Sequence, residues 1–257
     1  MDAADYRRFG EHLRSWAEAH PDVIGLVAVG SMAEQSRMPD EWSDHDFWVI
    51  TTDAAAEAIR DDPSWLPDAE RIVLFYAETE HGRNAIYDDG HLIEQAVFRD
   101  SELEVARVND YRVLVDKATI GTRMEAIVQS TGAALAAIDL DTTFGRFIGQ
   151  MVIGLTRCGR GELLSADSMI RKWALENLLS LLGQTAVPET DATLDNLDPR
   201  RRFEAAFPAL SARLTDAGSL PESASAMLDI AEEYLTDVPT NTAEVRAAVR
   251  RLIERVD

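Results

Sequence analysis

Apolar residues recur at Tyr6, Phe9, Leu13 and Trp16, the spacing of one helical face, and His20-Pro21 closes that helix. The period then changes. Residues 23–30 and 46–51 are continuous apolar runs and predict buried strands, with a short Ala-rich helix after Asp53 that ends at Asp62-Pro63. Further strand signals fall at 71–77, 84–87, 92–98 and 111–115, divided by turns at His81-Gly82 and Asp88-Asp89-Gly90. After about Thr119 the spacing stays helical. Phe144, Phe147, Ile148, Met151, Val152 and Leu155 predict one core-facing stripe, and Arg157-Cys158-Gly159-Arg160-Gly161 interrupts it. A following helix runs through Met169, Ile170, Trp173 and Leu178, with Gly183 expected just past its end. Residues 188–199 predict a loop. Helices then cover roughly 201–214, 223–235 and 242–256, the last opened by a capping-box-like pair, Asn241 and Glu244. The pattern predicts an α+β chain: a mixed sheet with flanking helices, then a helical bundle. The boundary is expected between residues 120 and 140, giving domains 1–125 and 126–257.

Composition narrows the function classes. Apolar and charged contents of 46% and 28% are ordinary, but 46 acidic against 25 basic residues give a net charge of −21. Such a surface repels nucleic-acid backbones and anionic membranes and attracts cations; solubility alone is the plainer explanation of the same charge. Cys158 is the single cysteine, so one chain can form neither an internal disulfide nor a cysteine-based zinc site, which fits a reducing cytoplasm. No apolar run approaches the ~20 residues of a membrane span, and the first residues lack a secretory apolar core, so the expectation is a cytoplasmic protein.

The chemistry concentrates in residues 27–50, VAVGSMAEQSRMPDEWSDHDFWVI. An apolar run ends in Gly30-Ser31, where a missing Cβ lets a ligand approach the backbone and a hydroxyl and exposed N–H groups can receive a phosphate. Asp44 and Asp46 open the next run. On an extended strand they project to one face while His45 points to the other, and paired carboxylates suit a hard divalent cation. His45 therefore reads as a packing residue, and Trp48 as a floor beneath the carboxylates. Glu94 interrupts the apolar stretch HLIEQAVF. A carboxylate there is costly to desolvate unless it meets a metal or substrate, which makes it the first candidate for a general base; the bland alternative is an edge strand facing water. Asp100 and Asp88 are the fallback candidates. No GxxxxGK[ST] loop or HRD-type motif is present, which argues against Walker and kinase folds.

Gly30-Ser31, then Asp44-x-Asp46, then a carboxylate on a later strand resembles the nucleotidyltransferase superfamily of DNA polymerase β-like folds. GLTRCGRGELLSADSMIRKWALENLLSLL is similar to the helical domain of antibiotic nucleotidyltransferases, and the order of elements looks most like the lincosamide enzymes, with aminoglycoside adenylyltransferases next. The resemblance implies Mg²⁺ on Asp44 and Asp46, Glu94 as base, phosphate contacts from Gly30 and Ser31, and Arg160 reaching the triphosphate. It implies an NTP co-substrate, ATP first, and transfer of AMP to a hydroxyl of a small cationic acceptor such as an aminoglycoside or lincosamide. A homodimer is compatible with it. Two other readings stand beside it: a catalytically altered ligand-binding protein, and a nucleotidyltransferase acting on a protein or RNA. The chain departs from the family pattern where Ala33-Glu34-Gln35 follow the Gly-Ser pair in place of a basic residue and a glycine, with Arg37 as the nearest substitute.

Overall fold

The computed structural model describes residues 2–135, 138–195 and 197–256. The chain parts into two compact units, Met1–Ala134 and Leu135–Asp257.

In the first unit, α1 (Ala3–Ala19) opens on Asp2, whose carboxylate accepts hydrogen bonds from the Ala4 and Asp5 amides. Those donors have no partner inside the helix, so the cap fixes where it starts. Six strands follow: β1 (Val23–Val29), β2 (His45–Thr51), β3 (Ile72–Ala77), β4 (Gly82–Tyr87), β5 (Leu92–Arg99) and β6 (Tyr111–Asp116). They form one sheet in the order β3-β4-β5-β2-β1-β6. β2 pairs with β5 in parallel, whereas β1–β2, β1–β6, β3–β4 and β4–β5 are antiparallel. A parallel neighbour requires a crossover, and α2 (Ala56–Asp61) together with the β3–β4 hairpin supplies it.

Strand alternation sorts the side chains into two cores. Leu26, Ala28, Phe47, Val49, Ile93 and Val97 pack with Phe9, Leu13 and Ala17 of α1. On the opposite face, Val27, Val29, Trp48, Ile50 and Phe98 pack with Leu103 and with Ile120 and Met124 of α3 (Ile120–Leu135). The division expected after residue 125 falls inside α3.

The second unit is helical among its described residues: α4 (Leu140–Gly159), α5 (Leu163–Asp167), a π-helical segment Ser168–Ala174, α6 (Leu175–Thr185), α7 (Phe203–Ala206), α8 (Pro208–Thr215), α9 (Leu220–Tyr234) and α10 (Ala243–Val256). Phe144, Phe147, Met151 and Leu155 of α4 are buried, but Val152 is 37% exposed and lies at the margin of the stripe. At Gly154 a Cβ would stand 2.5 Å from Ile170 Cγ1, so only glycine allows α4 this close to the π segment.

Three local expectations need correction. Gly183 does not end its helix, because α6 runs on to Thr185. Trp173 does not join Ile170 and Leu178 in the core; it is 41% exposed, because the wide turns of the π segment rotate it off the face that a regular helix predicts. Asn241 does not cap α10. Its amide donates to the Ala231 and Leu235 carbonyls, and the Thr242 hydroxyl instead accepts from the Val245 amide.

Candidate active site

Asp46 and Glu94 lie directly opposite each other on the parallel strands β2 and β5. Residues paired in register share a face, so both carboxylates rise from the same surface of the sheet. Glu94 is flanked on its other side by Asn84 of β4, so β5 is an interior strand and not an edge facing water. Asp44 stands just before β2, half-buried like Asp46 and Glu94. Two residues beyond Asp46 on the same face, buried Trp48 lies edge-on to Phe98.

The opposite face holds this segment rigidly. His45 is fully buried, stacked against Tyr6 with ring centroids 3.8 Å apart. Its Nε2 faces the Tyr6 carbonyl at 3.0 Å and its Nδ1 faces His91 Nε2 at 2.8 Å. A carbonyl only accepts, so the proton sits on Nε2 and His45 Nδ1 receives the His91 Nε2–H. Burial drives the His45 pKa from 6.5 down to about 3, with the Tyr6 carbonyl opposing and His91 adding to the fall. Burial lowers His91 as well. The Tyr6 hydroxyl donates to the Asp44 carbonyl at 2.9 Å. Asp44 and His45, the two residues before Asp46, are thus tied to α1, and His91, three residues before Glu94, ties the start of β5 to the same network.

At the C-terminal end of β1 the chain turns through Gly30–Ala33. Gly30 has φ +55°, and a Cβ there would lie 3.3 Å from Asp46 Oδ2. The Gly30→Ala variant is expected to lose about 1 kcal/mol of stability from the left-handed backbone alone and to displace the Asp46 carboxylate, which would weaken the Mg-nucleotide binding expected there from the sequence. Denaturant unfolding combined with calorimetric titration measures both; unchanged values in the two would remove Gly30 from the site. Ser31 is buried beside it, and its Oγ makes no hydrogen bond of good geometry. It does act on the Tyr6 phenol, which burial raises to about 12 against the lowering effect of Ser31, while Asp44, Glu34 and Asp46 add to the rise.

Glu34, also in a left-handed conformation, is held by Arg112 of β6 at 2.9 Å, and Arg112 donates to the Met32 carbonyl at 3.0 Å. Glu34 is therefore a partner of Arg112, and Arg112 is a cation bracing the turn that sequence reasoning missed. An arginine interrupting the strand YRVLVD was the available signal.

Asp100, Asp88 and Arg37 each have a charged partner of their own. Asp100 pairs with Arg123, and Asp88 with Arg71. Arg37 pairs with Asp40 at 2.9 Å. Arg160 is exposed at the end of α4 in the second unit, its N–H donating to the Arg157 carbonyl at 3.0 Å. Glu162 is exposed before α5, and Lys172 lies over the Trp173 ring at 4.8 Å. Trp65 stacks on Trp16 in the first unit's core, and Trp42 is exposed.

Among the described residues no three His, Cys, Asp or Glu side chains form a ready-made metal cage. The donor set is nevertheless of the kind a hard cation takes: oxygen donors from Asp44 and Asp46, a glycine at 30 that leaves Asp46 Oδ2 uncrowded, and a buried Ser31 hydroxyl beside them. No helix among the described residues is long and apolar enough to cross a membrane.

No protein-family model matches the chain. No curated protein matches it either. Solved structures that align with the chain include an aminoglycoside 6-adenyltransferase from Bacillus subtilis, at 11% identity and TM-score 0.38 over 96% of this chain and 97% of that one. A nucleotidyltransferase-like protein from Exiguobacterium sibiricum 255-15 aligns at 15% identity and TM-score 0.37, over 96% of this chain and 80% of that one. A chain of the CdnC:HORMA-deltaN complex from E. coli MS115-1 aligns at 12% identity and TM-score 0.33, over 96% and 88%.

Proposed function

We propose that the chain is a nucleotidyltransferase that moves a nucleoside monophosphate, AMP in the first instance, from its triphosphate to a hydroxyl of a small cationic molecule and releases pyrophosphate. The observation that carries this reading is the register of Asp46 against Glu94, beside a turn opened by Gly30 and Ser31. An acceptor hydroxyl placed over β5 gives its proton to a Glu94 carboxylate oxygen. The hydroxyl oxygen then bonds to the α-phosphorus, the bond from that phosphorus to the bridging oxygen breaks, and pyrophosphate departs with the electron pair. The Gly30–Ala33 turn and the Ser31 hydroxyl hold phosphate oxygens. Asp44 and Asp46 would hold Mg²⁺, which when bound neutralises triphosphate charge and aligns it. The net charge of −21 favours an amine-bearing acceptor, an aminoglycoside or a lincosamide.

A pyrophosphate-release assay with each of the four ribonucleoside triphosphates, Mg²⁺ and a panel of aminoglycosides and lincosamides tests the proposal. Release that requires both nucleotide and acceptor is expected. Nucleotide binding with no release under any acceptor would favour a ligand-binding protein of the same fold. Label transferred only to protein or RNA would overturn the small-molecule acceptor.

A further inference from the structure

On the proposed reading, the carboxylates are the inner end of a longer surface. Register pairing continues the row from Asp46 and Glu94 to Asn84 of β4 and Tyr76 of β3, all on one face. Asn84 is only 5% exposed, and its Nδ2 donates to the Tyr76 hydroxyl at 3.1 Å. A hydroxyl that accepts from the amide keeps its own O–H proton for another partner. A second row runs alongside on the same face, where Leu92 pairs with Ile86 and Ile86 with Leu74. Leu92 and Ile86 are half-buried, and Leu74, on the edge strand β3, is 49% exposed. Polar and apolar rows therefore lead side by side from β5 at Glu94 and Leu92 to the outer strand.

We propose that the paired rows Asn84–Tyr76 and Leu92–Ile86–Leu74 form the acceptor subsite, shaped for a saturated ring bearing hydroxyl or amine groups. Such a ring has an apolar C–H face and a polar rim. The leucine and isoleucine row takes the face, the Tyr76 O–H donates to the rim, and an adjacent ring hydroxyl comes to Glu94. A flat aromatic acceptor would use the apolar row and leave the Tyr76 proton without a partner, which disfavours it.

The test uses the full chain and two ring probes, 2-deoxystreptamine and methyl β-glucoside, titrated without nucleotide or metal and followed by ligand-observed NMR. Acceptor and nucleotide KM and kcat are then measured with the best acceptor of the release assay. Tyr76→Phe keeps the ring but loses the proton. Asn84→Leu keeps the volume but removes the amide that donates to the Tyr76 hydroxyl. Each is expected to weaken ring binding and raise acceptor KM about tenfold, with nucleotide KM unchanged. Leu74→Ser, at an exposed position where folding is not at stake, is expected to weaken ring binding with the same selectivity. Failure of both probes to bind the wild type, equal binding by wild type and Tyr76→Phe, or a rise in nucleotide KM would each overturn the subsite. Ring binding that depends on Tyr76 without any pyrophosphate release would retain the subsite and overturn the transfer reaction instead.

Discussion

Glu94→Gln is expected to bind Mg-nucleotide like the wild type and to transfer it about 10²–10⁴-fold more slowly, the range associated with losing a positioned proton acceptor. The substitution is nearly isosteric and sits on an interior strand whose pairing to β2 and β4 is made by the backbone, so the sheet has no reason to rearrange. Asp46→Asn should behave differently, losing nucleotide binding together with turnover, because its carboxylate lies against the Gly30 turn. Asp100→Asn and Asp88→Asn are the controls. Each carboxylate is engaged by an arginine, Arg123 or Arg71, and its loss should leave the rate near wild type. Single-turnover transfer beside calorimetric binding separates these outcomes. A wild-type rate in folded Glu94→Gln, or a collapse in Asp100→Asn, would move the base away from Glu94.

The second large effect is acid lability. His45 holds its pKa near 3 in the folded chain against 6.5 when unfolded, so between those values the unfolded state binds the extra proton. The stabilisation from neutral His45 is complete above pH 6.5 and is lost progressively as pH falls toward 3. Between pH 6.5 and 4.5 this amounts to about 2–3 kcal/mol. Most carboxylates remain ionised across that window, which isolates the histidines. Burial lowers His91 too, so it contributes with the same sign. Protonating His45 at Nδ1 would set two N–H groups against each other at the 2.8 Å contact with His91. Urea unfolding at pH 7, 5.5 and 4.5 should show this fall, and His45→Phe should flatten it while shifting the whole curve. A wild-type stability that is level over the window would refute the buried neutral pair.

Much of the architecture is legible in the sequence because local periodicity reports local structure. The strands ending at Val29 and beginning at His45, the α1 stripe and the turn at Asp88-Asp89-Gly90 follow directly from alternation, helical spacing and turn chemistry. Neighbours distant in sequence are not legible in this way. No pattern in residues 45–94 states that β5 lies parallel to β2, and so none brings Asp46 to Glu94. His91 reads only as the head of the stretch HLIEQAVF until His45 is found beneath it, and Asn84 and Tyr76 read as ordinary strand positions until the register aligns them. The π segment is illegible for a different reason: its wider turns interrupt the very period from which the Trp173 face was inferred. Gly183 shows the limit of a residue-type rule, since a glycine signal near a helix end is overridden when the backbone hydrogen bonds continue to Thr185.

The parallel pairing of β2 with β5 also governs when the site comes into being. A hairpin can bring antiparallel neighbours together early, but Asp46 and Glu94 meet only after the chain between them has closed as a long loop. β1 must likewise reach β6, whose pairing joins Gly25 to Asp116. Such distant closures belong to the slow steps of sheet assembly. During refolding, helix signal and hairpin protection should therefore precede the first trace of nucleotide binding, and the carboxylate pair serves as a clock for the last strand to dock.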